Sequence, residues 1–391
     1  MKKLLTLLFA VLLAATACFG LVACGSDDNK NSDTPNTPAD VNALTEAQFN
    51  AIFAVKSTIA DSLFAENVDY KADVTQTNTY KAQEQGQEDY VNRRYNAITK
   101  DGNKFKSEAL QMTGNVLQPV YAQYLVLTKT AGGKFTAAMY DASGKANTYN
   151  DPTAEYASPI LMVNTFNFSI VERAIDELFG EMLLQTDLSF ALSDFNYNAE
   201  TGVYSLKADK AVNYQGQEYC KITKCDVKFV DGKISTINIE QTETGTGDKA
   251  VTVVTMAYET NKETMTMETT STSTNKGETN ESKMKEVVSV ETDNAGRTVK
   301  SEGKRYRWEI KNAADNGDET AANVEYEYSL NGTQQVNVEY SSDGKVSKLT
   351  ATSVYGSDET VTEMVFTYAE QTVEIPEPAS AGLEYELNAA A

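Results

Sequence analysis

No histidine occurs in the 391 residues. Its absence excludes Ser-His-Asp and Cys-His catalysis and every histidine-ligated metal site, and leaves acid–base chemistry to carboxylates, lysine or tyrosine. Cysteine is nearly as scarce, with Cys18, Cys24, Cys220 and Cys225 only. A lone C-x4-C does not make a metal site. Cys220 and Cys225 are five apart, so on one straight strand they face opposite ways, and a disulfide between them needs a turn or bulge. An oxidising compartment favours pairing, and both the bridge and the free thiols stay open. Positive charge is also short: 34 Lys and Arg stand against 56 Asp and Glu, for a net charge of −22. Such a surface repels phosphate backbones and anionic lipid heads, which excludes nucleic acid as a partner.

Long apolar runs are missing except at the start. Met1, Lys2 and Lys3 precede "LLTLLFAVLLAATACFGLVA", ending at Ala23. A basic start, an apolar core and small residues are the layout of a secretory signal, and no basic stop-transfer flank follows. Gly25 to Asp40 is Asp, Asn, Ser, Thr and Pro with no aliphatic cluster, a composition that cannot offset the entropy of ordering.

What is abundant is hairpin chemistry. "ITKDGNKFK", "TKTAGGKFT", "YDASGKAN", "YNAETGVYS", "KFVDGKIST", "TDNAGRTVK", "YSLNGTQQV" and "EYSSDGKVSKL" each set a glycine between strand-like segments and predict an antiparallel meander. "VKFVDGKISTI" and "VEYSSDGKVSKL" are alike, through shared hairpin chemistry or an internal duplication. Helical spacing occurs twice. Thr45 with Gln48 forms a capping box ahead of a stripe including Phe49, Phe53, Ile59 and Leu63, predicting a helix over about 46 to 65. Ser169 with Glu172 repeats the box ahead of Ile175, Leu178, Phe179 and Met182, predicting a second helix over about 170 to 184.

The expected fold is therefore α+β and mainly antiparallel β: a curved half-barrel sheet with two helices, then a second β-meander unit. The division is a signal over 1–23, a tether over 24–43, a helix-plus-sheet domain over 44–245, a meander domain over 249–376 and a loose tail over 377–391. The boundary falls at "TGTGDK", before the Thr-rich strands from Glu259.

Motifs for chemistry are mostly negative. Ser301 to Lys304 and Ser342 to Lys345 match S-x-x-K but sit at glycine turns rather than at the start of a helix. "DNGDE" from Asp315 lacks EF-hand spacing, and "TAGGKFT" lacks the context of a phosphate loop. No catalytic residue, metal or cofactor is expected. Tyrosines such as Tyr121, Tyr124, Tyr140, Tyr204 and Tyr328 fit half-buried strands, or line a groove for sugars or peptides. Trp308 packs inward or forms a surface recognition point among basic neighbours.

Leu21, Val22, Ala23 and Cys24 resemble the lipobox of bacterial lipoproteins, in which the cysteine is diacylated and becomes the first mature residue. The element order over 44 to 245 is similar in pattern to half-barrel lipoprotein and lipoglycan carriers. That resemblance implies an anchored, extracytoplasmic, non-enzymatic protein held to the membrane through diacylglyceryl-Cys24. It further implies a cavity for a lipid or other apolar ligand, lined by Phe53, Ile59, Leu63, Leu125, Leu127, Phe135, Ile175, Leu178, Phe179 and Met182. The alternatives are a structural or adhesive surface scaffold meeting an envelope protein or glycan, and a carboxylate-based envelope hydrolase.

Overall fold

A computed structural model describes residues 43–52, 58–82, 87–131, 135–147, 153, 190–214, 217–275, 278–310 and 326–377. Almost all of them are strand. The first group is β1 (Tyr70–Tyr80), β2 (Tyr90–Asp101), β3 (Lys104–Thr113), β4 (Val116–Lys129) and β5 (Phe135–Asp141). The second is β6 (Phe195–Asn198), β7 (Val203–Leu206), β8 (Lys210–Tyr214), β9 (Gln217–Val230), β10 (Lys233–Glu243), β11 (Lys249–Glu259) and β12 (Lys262–Asn275). The last is β13 (Glu278–Thr292), β14 (Thr298–Ile310), β15 (Tyr326–Tyr340), β16 (Val346–Tyr355) and β17 (Asp358–Tyr368).

Every pairing is antiparallel and nearly all join sequence neighbours, as glycine hairpins dictate. The exceptions shape the molecule. β7 pairs β9, and β1 pairs β17 in a ladder from Tyr70↔Tyr368 to Thr79↔Glu359, so the two ends of the meander lie side by side. One sheet of 17 strands results.

Two cores sit on its inner face. Ile59 and Leu63 share one cluster with Ala137, Leu125, Phe105, Ile98, Val74, Met364, Leu349 and Val336, drawn from eight adjacent strands, β5 through β1 to β15. Eight strands about 4.8 Å apart span roughly 34 Å when flat, and a helix is only about 10 Å across, so the sheet must wrap around the helix. We call this lobe one. Lobe two gathers Phe49 with Phe195, Tyr204, Val212, Ile222, Val227, Ile239, Val254 and Met265 from β6 to β12. β13 and β14 bridge the lobes with few buried apolar residues, Met284 and Val290 among them.

The expectation of an α+β fold with two helices in one half-barrel is corrected. Helix among the described residues is confined to Glu46–Ile52, Thr58–Phe64 and one 3-10 turn, Leu192–Asp194. The predicted capping box is present: Thr45 N–H donates to Gln48 Oε1 at 2.9 Å and Gln48 N–H to Thr45 Oγ1 at 3.2 Å. Yet Phe49 enters lobe two while Ile59 and Leu63 enter lobe one, so the apolar spacing serves two cores rather than one. The helix predicted over about 170 to 184 lies outside the described residues. "TGTGDK" is a hairpin within the ladder, since Thr242 on β10 pairs Lys249 on β11.

Lobe one also holds a buried cation. Lys100, 1% exposed, donates through Nζ to the carbonyl oxygens of Ala65 (2.8 Å) and Val68, just past the end of the Thr58–Phe64 helix, where carbonyls lack partners. Burial holds its pKa below the ordinary lysine value. The C-terminal segment closes over the same lobe: Val373 N–H donates to Asp101 Oδ2 at 3.0 Å. Pro376 crosses Gly144, where a Cβ would lie 1.8 Å from the Pro376 oxygen, so only glycine fits.

Candidate functional site

Alternation and register fix which side chains share the inner face with the cores. Above the apolar floor of lobe one that face turns polar. Ladder by ladder, Asn92 (β2) lies opposite Asn78 (β1), Asn78 opposite Thr360 (β17), Thr360 opposite Ser353 (β16), Ser353 opposite Gln334 (β15) and Gln334 opposite Gly303 (β14). Five neighbouring strands thus present amides and hydroxyls in one row. Thr360 Oγ1 donates to Asn78 Oδ1 at 2.9 Å, which knits part of it together.

Aromatic and cationic groups flank the row. Towards the strand tips, Tyr80 and Tyr90 stack at 5.8 Å between ring centroids and 28° between planes, 44% and 64% exposed. Tyr355 follows, opposite Gly332 and then Arg305. Its hydroxyl accepts from Arg307 Nη2 and Asn331 Nδ2, each at 2.8 Å. A Cβ on Gly332 would meet the Tyr355 ring at 3.1 Å, so this glycine lets the ring lie across the strand. On the core side of the row, Arg94 lies opposite Gln76. Arg305 reaches Glu286 at 3.8 Å; burial pushes the Glu286 carboxyl up, and Arg305 draws it back. Beside Gly303 a Cβ would meet nothing within 4 Å, so the floor of the row is open. Such a surface offers donors, acceptors and aromatic faces to a hydrophilic molecule.

The outer face differs in kind. Lys224–Glu240 (3.2 Å), Lys285–Glu268 (3.0 Å), Lys106–Glu108 (2.8 Å) and Lys304–Glu302 (2.8 Å) lie there, beside Thr and Ser. A Lys or Arg facing lipid at the bilayer midplane costs about 2–4 kcal/mol, so this face is suited to water. Among the described residues no helix is long and apolar enough to cross a membrane, and no three His, Cys, Asp or Glu are grouped to hold a metal ion.

The residues singled out in the sequence fall elsewhere. Ile59, Leu63, Leu125 and Leu127 pack against one another in the lobe-one core, and Phe135 is half-buried on β5. Phe53, Ile175, Leu178, Phe179, Met182 and Cys24 lie outside the described residues. The expected cavity between helix and sheet is therefore corrected: Ile59 and Leu63 of the helix pack onto the apolar floor of the inner face. Cys220 and Cys225 are free and buried, not bridged. The bulge foreseen as a condition does exist, because Glu240 pairs Lys224 while Gln241 pairs Ile222, skipping Thr223. It turns both thiols into the lobe-two core, where burial pushes each pKa up to about 12. Trp308 is not packed inward. It stands half-buried on the outer face, edge-on to Tyr328 at 4.9 Å with Lys283 Nζ 5.0 Å from its ring centroid.

Of the tyrosines weighed for a groove, Tyr121 alone lies near the polar row, accepting from Gln123 Nε2 at 3.0 Å. Tyr80, Tyr90 and Tyr355 carry no mark in the sequence that sets them apart from other strand tyrosines. The two glycines that open the row resemble turn glycines in sequence, but Gly303 of "SEGK" and Gly332 of "YSLNGTQQV" lie inside β14 and β15, the latter at a bulge beside Asn331. Strand alternation continuing across both glycines was the signal that could have found them.

No family model matches the chain, and no curated protein does. Among solved structures, OccK3 (OpdO) of Pseudomonas aeruginosa is 9% identical, with 78% of this chain and 97% of that chain covered, at a TM-score of 0.27. OpdQ of the same organism is 10% identical over 78% and 98%, at 0.24, and a mutant of the Rh. blastica porin 8% identical over 76% and 99%, at 0.22. At these TM-scores the likeness assigns this chain neither a barrel nor a channel. The matches are porins and not half-barrel carriers. The packed apolar floor of lobe one, where Ile59 and Leu63 meet the strand side chains, overturns the expected carriage of an acyl or apolar ligand between helix and sheet. The partners expected with it, a lipid in the cavity and a membrane held through diacylglyceryl-Cys24, are withdrawn.

Proposed function

We propose that the chain is a non-catalytic protein of the cell envelope that binds a hydrophilic, hydroxyl-rich solute on the polar inner face of lobe one. One observation carries this reading: Asn92, Asn78, Thr360, Ser353 and Gln334 form a row across five strands, bordered by the exposed Tyr80–Tyr90 stack and Tyr355. Binding sites combine aromatic surface with a few placed polar groups that fix orientation, and this row has both. The secretory pattern of residues 1–23 supports the envelope location.

Calorimetric titration with cellohexaose and with hexagalacturonate tests the reading. Heat of binding with at least one probe is expected from the wild-type protein and not from Gly303→Trp, whose side chain would occupy the open floor of the row. Equal binding by the variant, or no binding of either sugar by the wild type, overturns it.

A further inference from the structure

The ligand's charge and shape follow from what stands on the same face. The outer-face lysines cited above are matched to carboxylates at 2.8–3.2 Å. The inner face is different. Three of the chain's six arginines, Arg94, Arg305 and Arg307, lie on it and flank the polar row on opposite sides, Arg94 beside Asn92 towards the core and Arg305 and Arg307 beyond Gly303 towards the strand tips. Among the described residues no carboxylate is within ion-pair distance of Arg94, and Arg307 directs Nη2 to the Tyr355 hydroxyl. Arg305 is partnered, meeting the buried Glu286 carboxylate at 3.8 Å. Acidic side chains at the border are Asp358, opposite Tyr355, and Glu327, beyond Arg307.

Arg94 is on β2 and Arg305 and Arg307 are on β14, five strand steps away, which is roughly 24 Å across the sheet at about 4.8 Å per step, with Arg307 offset by roughly a further 20 Å along the strands at about 3.3 Å per residue, so the line between them runs obliquely. A small anion cannot touch both ends. Between them the row offers one hydrogen-bonding side chain per strand, a repeat comparable with the rise of one sugar unit in an extended chain. Guanidinium groups bind carboxylates through paired N–H donors, and tyrosine faces suit sugar rings.

We infer that the inner face of lobe one takes an extended, carboxylate-bearing saccharide chain lying obliquely across the strands, with Arg94 and Arg307 meeting carboxylates towards its two ends. This rests on the binding reading above. It makes the ligand anionic although the protein as a whole is acidic, because the charge that matters is local to the face.

The test uses hexagalacturonate and its fully methyl-esterified form, the same chain without charge, titrated into the wild-type protein, Arg94→Gln and Arg307→Gln at low and moderate salt. At least tenfold tighter binding of the acid is expected in the wild type. That preference should shrink in each variant and with added salt. Acid and ester bound equally well would overturn the inference and leave the binding reading intact. If neither is bound, and cellohexaose is not bound either, both fall. Native-like circular dichroism of the two variants shows that loss of preference is not loss of fold.

Discussion

The two lobes are built from the same hairpins and differ in where their strands come from. Lobe two uses β6 to β12 in near-consecutive order, so its contacts are local along the chain. Lobe one joins β1–β5 to β15–β17, through contacts such as Thr360 to Asn78, 282 residues apart, and Val373 to Asp101, 272 apart. Loop closure over such separations is entropically costly and slow, so lobe one completes only after the last strands exist. The inner faces differ too. In lobe two, polar side chains above the core are covered: Gln241 and Ser271 are 3% and 5% exposed, and Thr252 and Thr269 hydroxyls pair at 3.0 Å. In lobe one the corresponding level is the open row. A single sheet has thus closed one inner face and left the other available.

Placing a charge in one core at a time gives the largest effect. Leu349→Asp puts an unpaired carboxylate in the lobe-one core, at a cost of about 3–5 kcal/mol, and Ile239→Asp does the same in lobe two. Hydrogen exchange should show Leu349→Asp deprotecting β1–β3 and β15–β17 while β9–β12 keep their protection, and the reverse for Ile239→Asp. Simultaneous loss in both lobes would mean that the continuous sheet makes them one cooperative unit. Next in size is Lys100→Met, which takes the lysine donor from the Val68 carbonyl and leaves the Ala65 carbonyl only the Val68 N–H at 3.1 Å. Denaturant unfolding followed at lobe one should show a loss of about 2–4 kcal/mol.

Alkaline pH separates the lobes by their buried acids. Burial raises the lobe-two thiols from 9.0 to about 12, so the stability linked to them is whole below pH 9 and is lost as pH climbs towards 12. In lobe one the buried hydroxyls of Tyr70 and Tyr368 are raised above 10.0, so the corresponding loss begins only above pH 10. Exchange measured from pH 8 to 11 should therefore show lobe two loosening first, and a Cys220→Val, Cys225→Val protein should remove that lead. The smallest effect is at Glu263, an inner-face residue of β12 whose carboxyl burial pushes up to about 7 from 4.5, against the pull of Lys233. Its contribution is whole below pH 4.5 and lost as pH rises through 7. Glu263→Gln should then stabilise lobe two at pH 8, on the order of 1–2 kcal/mol for a partly solvated site, and change little at pH 4.

The meander was legible because Asp-Gly and Thr-Gly pairs announce their hairpins locally; those at Gly102, Gly202, Gly232 and Gly344 all have positive φ. Closure of β1 on β17 was not, since a ladder between Tyr70 and Tyr368 leaves no short-range mark. The apolar spacing from Phe49 to Leu63 looked like one helix face because periodicity records burial and is silent on which core does the burying. The site was hidden for a related reason. Asn92, Asn78, Thr360, Ser353 and Gln334 are unremarkable polar residues until the register aligns them, and the glycines beside them imitate turns.

Tyrosine labelled with fluorine gives the most direct view of the claim that lobe one alone presents a binding face. In a titration of the 3-fluorotyrosine protein with hexagalacturonate, resonances assigned through Tyr80→Phe, Tyr90→Phe and Tyr355→Phe should shift saturably, while that of the buried lobe-two Tyr204 stays in place. Movement of Tyr204 with Tyr80, Tyr90 and Tyr355 unmoved would contradict the account.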